Sequence, residues 1–345
     1  MKILIATGIY PPDIGGPAQY ARGVEEAWKK EGHSVKVLAF RFERRLPTGV
    51  RHLYYFLRVL FSLRGVDFVF SPDTFSAALP ALLACKLFGK KIIIRTGGDF
   101  LWESYVERTG DLVLLKDFYT TSVNKFNRKE RIVFALLKFL FRHVGAIIFS
   151  TAWQKDIFEK PYGLDVKKCC IVENFYGRQE HSNILKNVGM SEKVFVGGTR
   201  ELHWKNLPRV EEAFKRVQEK DTSITFHLQT SDRAKFLEDI QSSYAVIIAS
   251  LGDISPNTIL EAISFGKPFI LTRETGLYEK LKDIGVWVNP EDVNDIAEKI
   301  SWLLDEKNYA EQCKKITGFT FTHSYEQIAD ELLEIHSKLR QYGVR

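Results

Sequence analysis

Cysteine is scarce in this sequence, and the four residues present form no pattern. Cys85, Cys169, Cys170 and Cys313 include no pair at metal-ligand spacing, and the vicinal pair is a poor disulfide candidate. That usage predicts a reducing, cytoplasmic setting. No apolar run reaches the ~18 residues that cross a bilayer, so no membrane span is expected. The opening MKILIATGIYPP is too short for a secretory leader, lacks a cleavage signal, and reads as a strand. Short-period repeats and low-complexity tracts are lacking as well. Also missing is the GxGxxG turn of dinucleotide enzymes, and no acid stands at the end of the second strand to take a ribose. A nicotinamide-dependent oxidoreductase is therefore disfavoured.

What remains is an ordinary globular composition, 45% hydrophobic and 27% charged over 345 residues. The length suits two domains with a ligand cleft between them. Charge is unevenly placed. Residues 1–176 hold 27 Lys+Arg against 17 Asp+Glu, and the remainder hold 22 against 26. The first half is expected to attract anions and the second is not.

Apolar β-branched runs alternate with helical patterns through both halves. The strand candidates are 2–7, 34–40, 66–71, 91–96 and 145–150, then 193–196, 223–228, 244–250, 267–272 and 286–288. Near-continuous apolar runs suit strands of a parallel sheet covered on both faces. The expected architecture is α/β, with two Rossmann-like doubly wound domains facing across a cleft. The divisions are expected at 1–176 and 177–324, with a last helix, 325–345, packing back on the first domain.

Three stretches carry chemistry. In GIYPPDIGGPAQYARG (8–23), Gly15 and Gly16 can take positive φ, Pro17 suits the first helical position, and the helix N-terminus offers N–H groups to an anion. In VFVGGTRELHWKN (194–206), Arg200 and Lys205 follow a strand end and can neutralise a diphosphate; the bland alternative is two solvated cations. In GDISPNTILEAISFGKP (252–268), Ser255 reads as an N-cap and Pro256 as the first helical residue, with Asn257 beside them. Asp253 lies on the loop before that helix, and Glu261 lies in its second turn. On these residues alone, both acids also read as complements to the helix dipole, at ~0.3–1 kcal/mol each.

Taken together, these motifs resemble the family 4 retaining glycosyltransferases of GT-B fold, over nearly the whole chain. The frame Asp253-x7-Glu261, followed by Ala262, Gly266 and Pro268, is similar to the family's Glu-x7-Glu motif. Arg200 and Lys205 match its diphosphate clamp, and Gly15-Gly16 its loop after the first strand. The resemblance implies that Arg200 and Lys205 hold the donor diphosphate, that Glu261 binds ribose hydroxyls and that Asp253 contacts the transferred sugar. Asp253, Arg200 and Lys205 are the expected catalytic residues. Gly15, Gly16, Ser255, Pro256, Asn257 and Glu261 are expected to line the donor site. The resemblance also implies an acceptor-binding first domain and a nucleotide-sugar-binding second domain, with no metal and no cofactor.

The chain departs from the pattern in three places. Asp253 replaces the first glutamate. Thr96-Gly97-Gly98-Asp99 stands where the family has His-Gly-x-Asp, so Thr96, Gly97 and Asp99 are the candidates on the acceptor or sugar side. The second lobe is also compact after residue 228. The expected reaction is sugar transfer from a nucleoside-diphosphate sugar to a saccharide or lipid-linked saccharide, in cell-surface glycan synthesis. A catalytically silent subunit of the same fold is the alternative.

Two basic amphipathic segments remain. RKERIVFALLKFLFRHV (128–144) aligns Arg128, Arg131, Lys138 and Arg142, and RHLYYFLRVLFSLR (51–64) aligns Arg51, Tyr55 and Arg58. Ordinary domain helices explain either one alone. In the basic half, the two together predict peripheral contact with an anionic inner-membrane surface. Nucleic acid is not an expected partner, because the charge is dilute and no reader module is present.

Overall fold

The computed structural model describes residues 1–13, 15–177, 192–197, 201–228 and 233–341. They form two compact units. The first gathers Met1–Leu101, Phe126–Phe175 and His323–Arg345; the second gathers Trp102–Lys125 and Tyr176–Thr322. The main division lies one residue from the expected one. The segment Trp102–Lys125, expected in the first domain, instead packs with the second. Its large apolar groups explain this: Trp102 and Leu115 are buried, and the Trp102 ring lies 5.5 Å from that of Trp204.

The first sheet runs parallel in the order β2-β1-β3-β4-β5-β6. Its strands are β1 (Lys2–Thr7), β2 (Ser34–Ala39), β3 (Phe68–Ser71), β4 (Ile92–Thr96), β5 (Ala146–Phe149) and β6 (Cys169–Ile171). The second is also parallel, in the order β11-β10-β9-β7-β8. It contains β7 (Lys193–Gly197), β8 (Ile224–Leu228), β9 (Ala245–Ile248), β10 (Phe269–Thr272) and β11 (Val286–Val288).

Helices fill the crossovers. Through the first half they are α1 (Gly16–Lys30), α2 (Thr48–Ser62), α3 (Ala78–Leu87), α4 (Phe100–Thr109), α5 (Phe118–Thr121), α6 (Arg128–His143) and α7 (Ala152–Tyr162). Then come α8 (Leu207–Gln218), α9 (Arg233–Ser242), α10 (Asn257–Ser264), α11 (Tyr278–Leu281), α12 (Val293–Leu304), α13 (Glu306–Thr317) and α14 (Tyr325–Gln341). No described helix is long and apolar enough to cross a membrane. All four cysteines are free thiols.

Central strands β3, β4 and β5 are buried at every position, as continuous apolar runs require. Strand β2 differs: Ser34 and Lys36 are exposed, because it lies at the sheet edge. In the first core, Trp28 of α1 packs on Phe68 and Phe70, with Ile328, Ala329 and Leu332 of α14. The Trp28 indole N–H donates to the Ala329 carbonyl at 3.2 Å. A Cβ at Gly23 would lie 2.4 Å from the Tyr325 ring, so glycine there lets α14 close onto α1. Burying each such large apolar side chain contributes about 1.5–3 kcal/mol.

Candidate functional site

In both sheets the chain reverses its winding direction once. In the second unit this happens between β7 and β9, since β8 lies on one side of β7 and β9 on the other. Open parallel sheets bind ligands outside the carboxyl ends of strands at such a switch point. The loops that leave β7 and β9 carry two of the expected site residues, and the fold brings them together. Lys205 Nζ donates to Asp253 Oδ2 at 2.8 Å, with only 10% and 13% of the two side chains exposed.

Local structure fixes both partners. Residues His203–Lys205 make one 3-10 turn that ends on Asn206 in the left-handed region, φ 62°. Asparagine tolerates that conformation, and here its buried amide also donates to the carbonyls of Ala249 and Pro290, at 2.8 and 2.7 Å. The loop that carries Lys205 is thus pinned to the end of β9. The Trp204 ring lies beneath Lys205 Nζ, 4.1 Å from centroid to nitrogen. The Leu251 N–H donates to the Trp204 carbonyl at 2.9 Å, tying the two loops together.

Asp253 is held by its backbone as well. Its N–H donates to the Glu274 carbonyl at 2.9 Å, and its carbonyl accepts from the Gly276 N–H at 3.3 Å. Glu274 is largely buried and pairs with Lys116 Nζ at 2.6 Å, which raises the Lys116 pKa through that hydrogen bond. The Leu115 N–H donates to the Leu251 carbonyl at 3.1 Å. A Cβ at Gly252 would fall 2.4 Å from Leu115 Cβ, so only glycine admits this segment. At the same strand end the Ser250 hydroxyl is buried without a hydrogen-bond partner. Sequence reasoning missed Lys116, Trp204, Asn206, Ser250 and Glu274. Only Asn206, just before a Leu-Pro helix start, carried a local signal.

The helix after Asp253 begins one residue later than expected. Pro256, with extended ψ of 112°, occupies the N-cap position, Asn257 is the first helical residue, and no side chain caps the end. Ser255 is therefore not the cap. Pro256 is buried, Asn257 exposed, and Glu261 partly exposed in the second turn. Arg200 lies outside the described residues. Among the described residues, no group of three or more His, Cys, Asp and Glu is arranged to hold a metal ion.

The other expected residues belong to the first unit. Gly15 has φ 151°, which favours glycine, and its carbonyl accepts from the Ala18 and Gln19 N–H groups. Gly16 is the first residue of α1 and does not take positive φ. Pro17 follows it within the first helical turn. Thr96 is fully buried and donates to the Ile148 carbonyl at 3.3 Å, which ties its hydroxyl to the sheet. Asp99 is buried and accepts from the Leu101 N–H at 3.1 Å, at the start of α4. Gly97 makes room for Arg95: a Cβ there would sit 3.3 Å from Arg95 Nη1. That guanidinium is buried over the Tyr20 ring at 4.0 Å and donates to Asn174 Oδ1; burial lowers its pKa.

Residues 193–306 match the family model described as glycosyl transferases group 1. That span contains Arg200, Lys205, Asp253 and Glu261. No curated protein sequence matches the chain. Among solved structures, the chain is similar to a sucrose-phosphate synthase from Thermosynechococcus elongatus, at TM-score 0.73, 12% identity and 99% coverage of both chains. It is similar to Anabaena HepE in complex with UDP, at TM-score 0.61, 13% identity and 99% coverage of both. A trehalose-6-phosphate synthase studied for glycosyl transfer with retention aligns at TM-score 0.64, 12% identity and 99% coverage of both. Residues 193–306 thus match glycosyl transferases group 1, and the two doubly wound parallel sheets give the chain the GT-B fold of these solved structures.

Proposed function

We propose that the chain transfers a sugar, with retention at the anomeric carbon, from a nucleoside-diphosphate sugar to a saccharide or lipid-linked saccharide in cell-surface glycan synthesis. The observation that carries this reading is the Lys205–Asp253 pair, 2.8 Å apart at the switch point of the second sheet. UDP in the similar Anabaena structure supports the donor class.

As the bond from the anomeric carbon to the diphosphate oxygen breaks, that oxygen keeps the electron pair and takes up the proton of the acceptor hydroxyl, whose oxygen bonds the anomeric carbon on the same face. Lys205 leaves Asp253 for the diphosphate and neutralises the departing charge, together with Arg200 and the uncapped start of α10. Asp253, released from its cation, faces the positive charge developing on the sugar. Glu261 holds the ribose hydroxyls in ground and transition states alike. Neutralisation by these groups, with no metal, is part of the proposal. So is a cytoplasmic site of action against the inner membrane surface.

Calorimetric titration with UDP and other nucleoside diphosphates, joined to a donor-hydrolysis assay, tests the reading. Lys205→Met is expected to weaken diphosphate binding about 10- to 100-fold, the loss of one charge-assisted contact. Unchanged binding in that variant removes Lys205 from the site. Tight binding without transfer or hydrolysis in the wild type would favour a silent subunit.

A further inference from the structure

Helix α2 lies with its basic side inward. Tyr55 is fully buried and donates to the Leu38 carbonyl at 2.7 Å. Arg58 donates to the Ala39 carbonyl at 3.2 Å and pairs with Glu43, whose side chain has no exposed surface. Arg51 Nε is buried too. The stripe Arg51, Tyr55 and Arg58, expected to face a membrane, thus faces the protein.

The apolar side is the one turned to solvent. Val50, Leu53, Tyr54, Leu57 and Phe61 recur at helical spacing and are all exposed, Leu53 at 61% and Phe61 at 82%. Phe42, also exposed, meets the Tyr54 ring edge-on at 5.9 Å. Helix α3 packs alongside α2 and adds exposed Leu83, Leu87 and Phe88. With Ile132 of α6, these make ten of the eighteen exposed large hydrophobic residues described, gathered on neighbouring helices of one unit.

Charge on the same helices has one sign. Neither α2 nor α3 contains an acid, and the one acid of α6, Glu130, is buried in a capping box with Asn127. Arg64, just past α2, and Lys86, Lys129, Arg131, Lys138 and Arg142 on α3 and α6 are exposed. A second copy of the chain would set cations against cations. An anionic bilayer takes both features, with apolar side chains at the acyl boundary and cations at the phosphates.

We propose that α2 and α3 dock this apolar face on an anionic lipid bilayer, with α6 contributing cations at the rim. This gives the membrane contact proposed above a specific surface. It is read without donor or acceptor, so it stands or falls apart from the reaction.

Sedimentation of the full chain with phosphatidylglycerol–phosphatidylcholine vesicles tests it, with pure phosphatidylcholine vesicles beside them. The wild type is expected to bind the anionic vesicles and to keep part of that binding at about 0.5 M salt, since apolar insertion is not screened. Leu53→Ser with Phe61→Ser should lower partitioning about tenfold or more at both salt levels. Melting temperature and nucleotide binding should not change, because both side chains are exposed. Reversing Arg131, Lys138 and Arg142 to Glu should matter only at low salt. Undiminished vesicle binding by the serine pair overturns the assignment, as does equal binding to neutral vesicles. A wild-type dimer in light scattering that the serine pair dissociates, with no vesicle binding, would identify a second copy as the occupant instead.

Discussion

Asp253 is held between two demands of opposite sign. It neutralises Lys205 at 2.8 Å; in the proposed donor complex it becomes a like charge beside the diphosphate. Asp253→Asn keeps the size and removes that repulsion. It is expected to bind nucleoside diphosphate about two- to tenfold more tightly while turnover falls about 10²–10³-fold. Calorimetry and steady-state kinetics read the two effects separately, and a joint fall would reduce Asp253 to a prop for Lys205. Glu274 is a second carboxylate on the neighbouring loop, neutralised by Lys116 at 2.6 Å. Lys116→Met strands it, so the donor Michaelis constant should rise about tenfold, and adding Glu274→Gln should bring it back. Kinetics of the double variant decide: if it is no better than the single one, Lys116 acts by packing alone.

Among the elements, those that the residues foretold are those whose burial is uniform. Strands β3, β4 and β5 are covered on both faces, so an unbroken apolar run marks each one. Strand β6 was not foreseen, because three residues at a sheet edge leave no periodic signal. The amphipathicity of α2 was legible, but not which side faces water; that depends on Glu43, an acid outside the helix. Likewise, Lys205 and Asp253 could be placed at strand ends, yet their meeting follows from the order β9-β7-β8, which no local pattern encodes. The Lys116–Glu274 pair joins positions 158 residues apart. The turn from α10 into β10 offers a stability test. Lys267 is buried, donates to the Ser243 carbonyl at 2.9 Å, and has its pKa lowered by burial from 10.5 to about 8. Between those values the unfolded chain binds the extra proton, so this group makes stability rise as pH increases from about 8 to 10.5 and leaves it lowest below about 8. Lys267→Met should lack that rise. Urea unfolding of both proteins across the window checks it, and parallel curves would show that Lys267 does not titrate with folding.

At the scale of the molecule, the charge asymmetry belongs to the units and not merely to the halves of the chain. Exchanging Trp102–Lys125 for His323–Arg345 leaves the first unit with 27 Lys+Arg against 17 Asp+Glu, as in residues 1–176. The same exchange has a bearing on synthesis. The first sheet is translated early, but Ile328, Ala329 and Leu332, which complete its core against Trp28, come from the last helix. The second unit has all its segments by Thr322. On the ribosome, therefore, the later sheet can close while the earlier one still lacks a wall and depends on protection from aggregation. A chain halted after Thr322 should yield a protease-resistant second unit and a readily cleaved first unit, which gains resistance once residues 323–341 emerge. Resistance of both units without α14 would sink the idea. If it holds, the N-terminal sheet is the first to be made and the last to be finished.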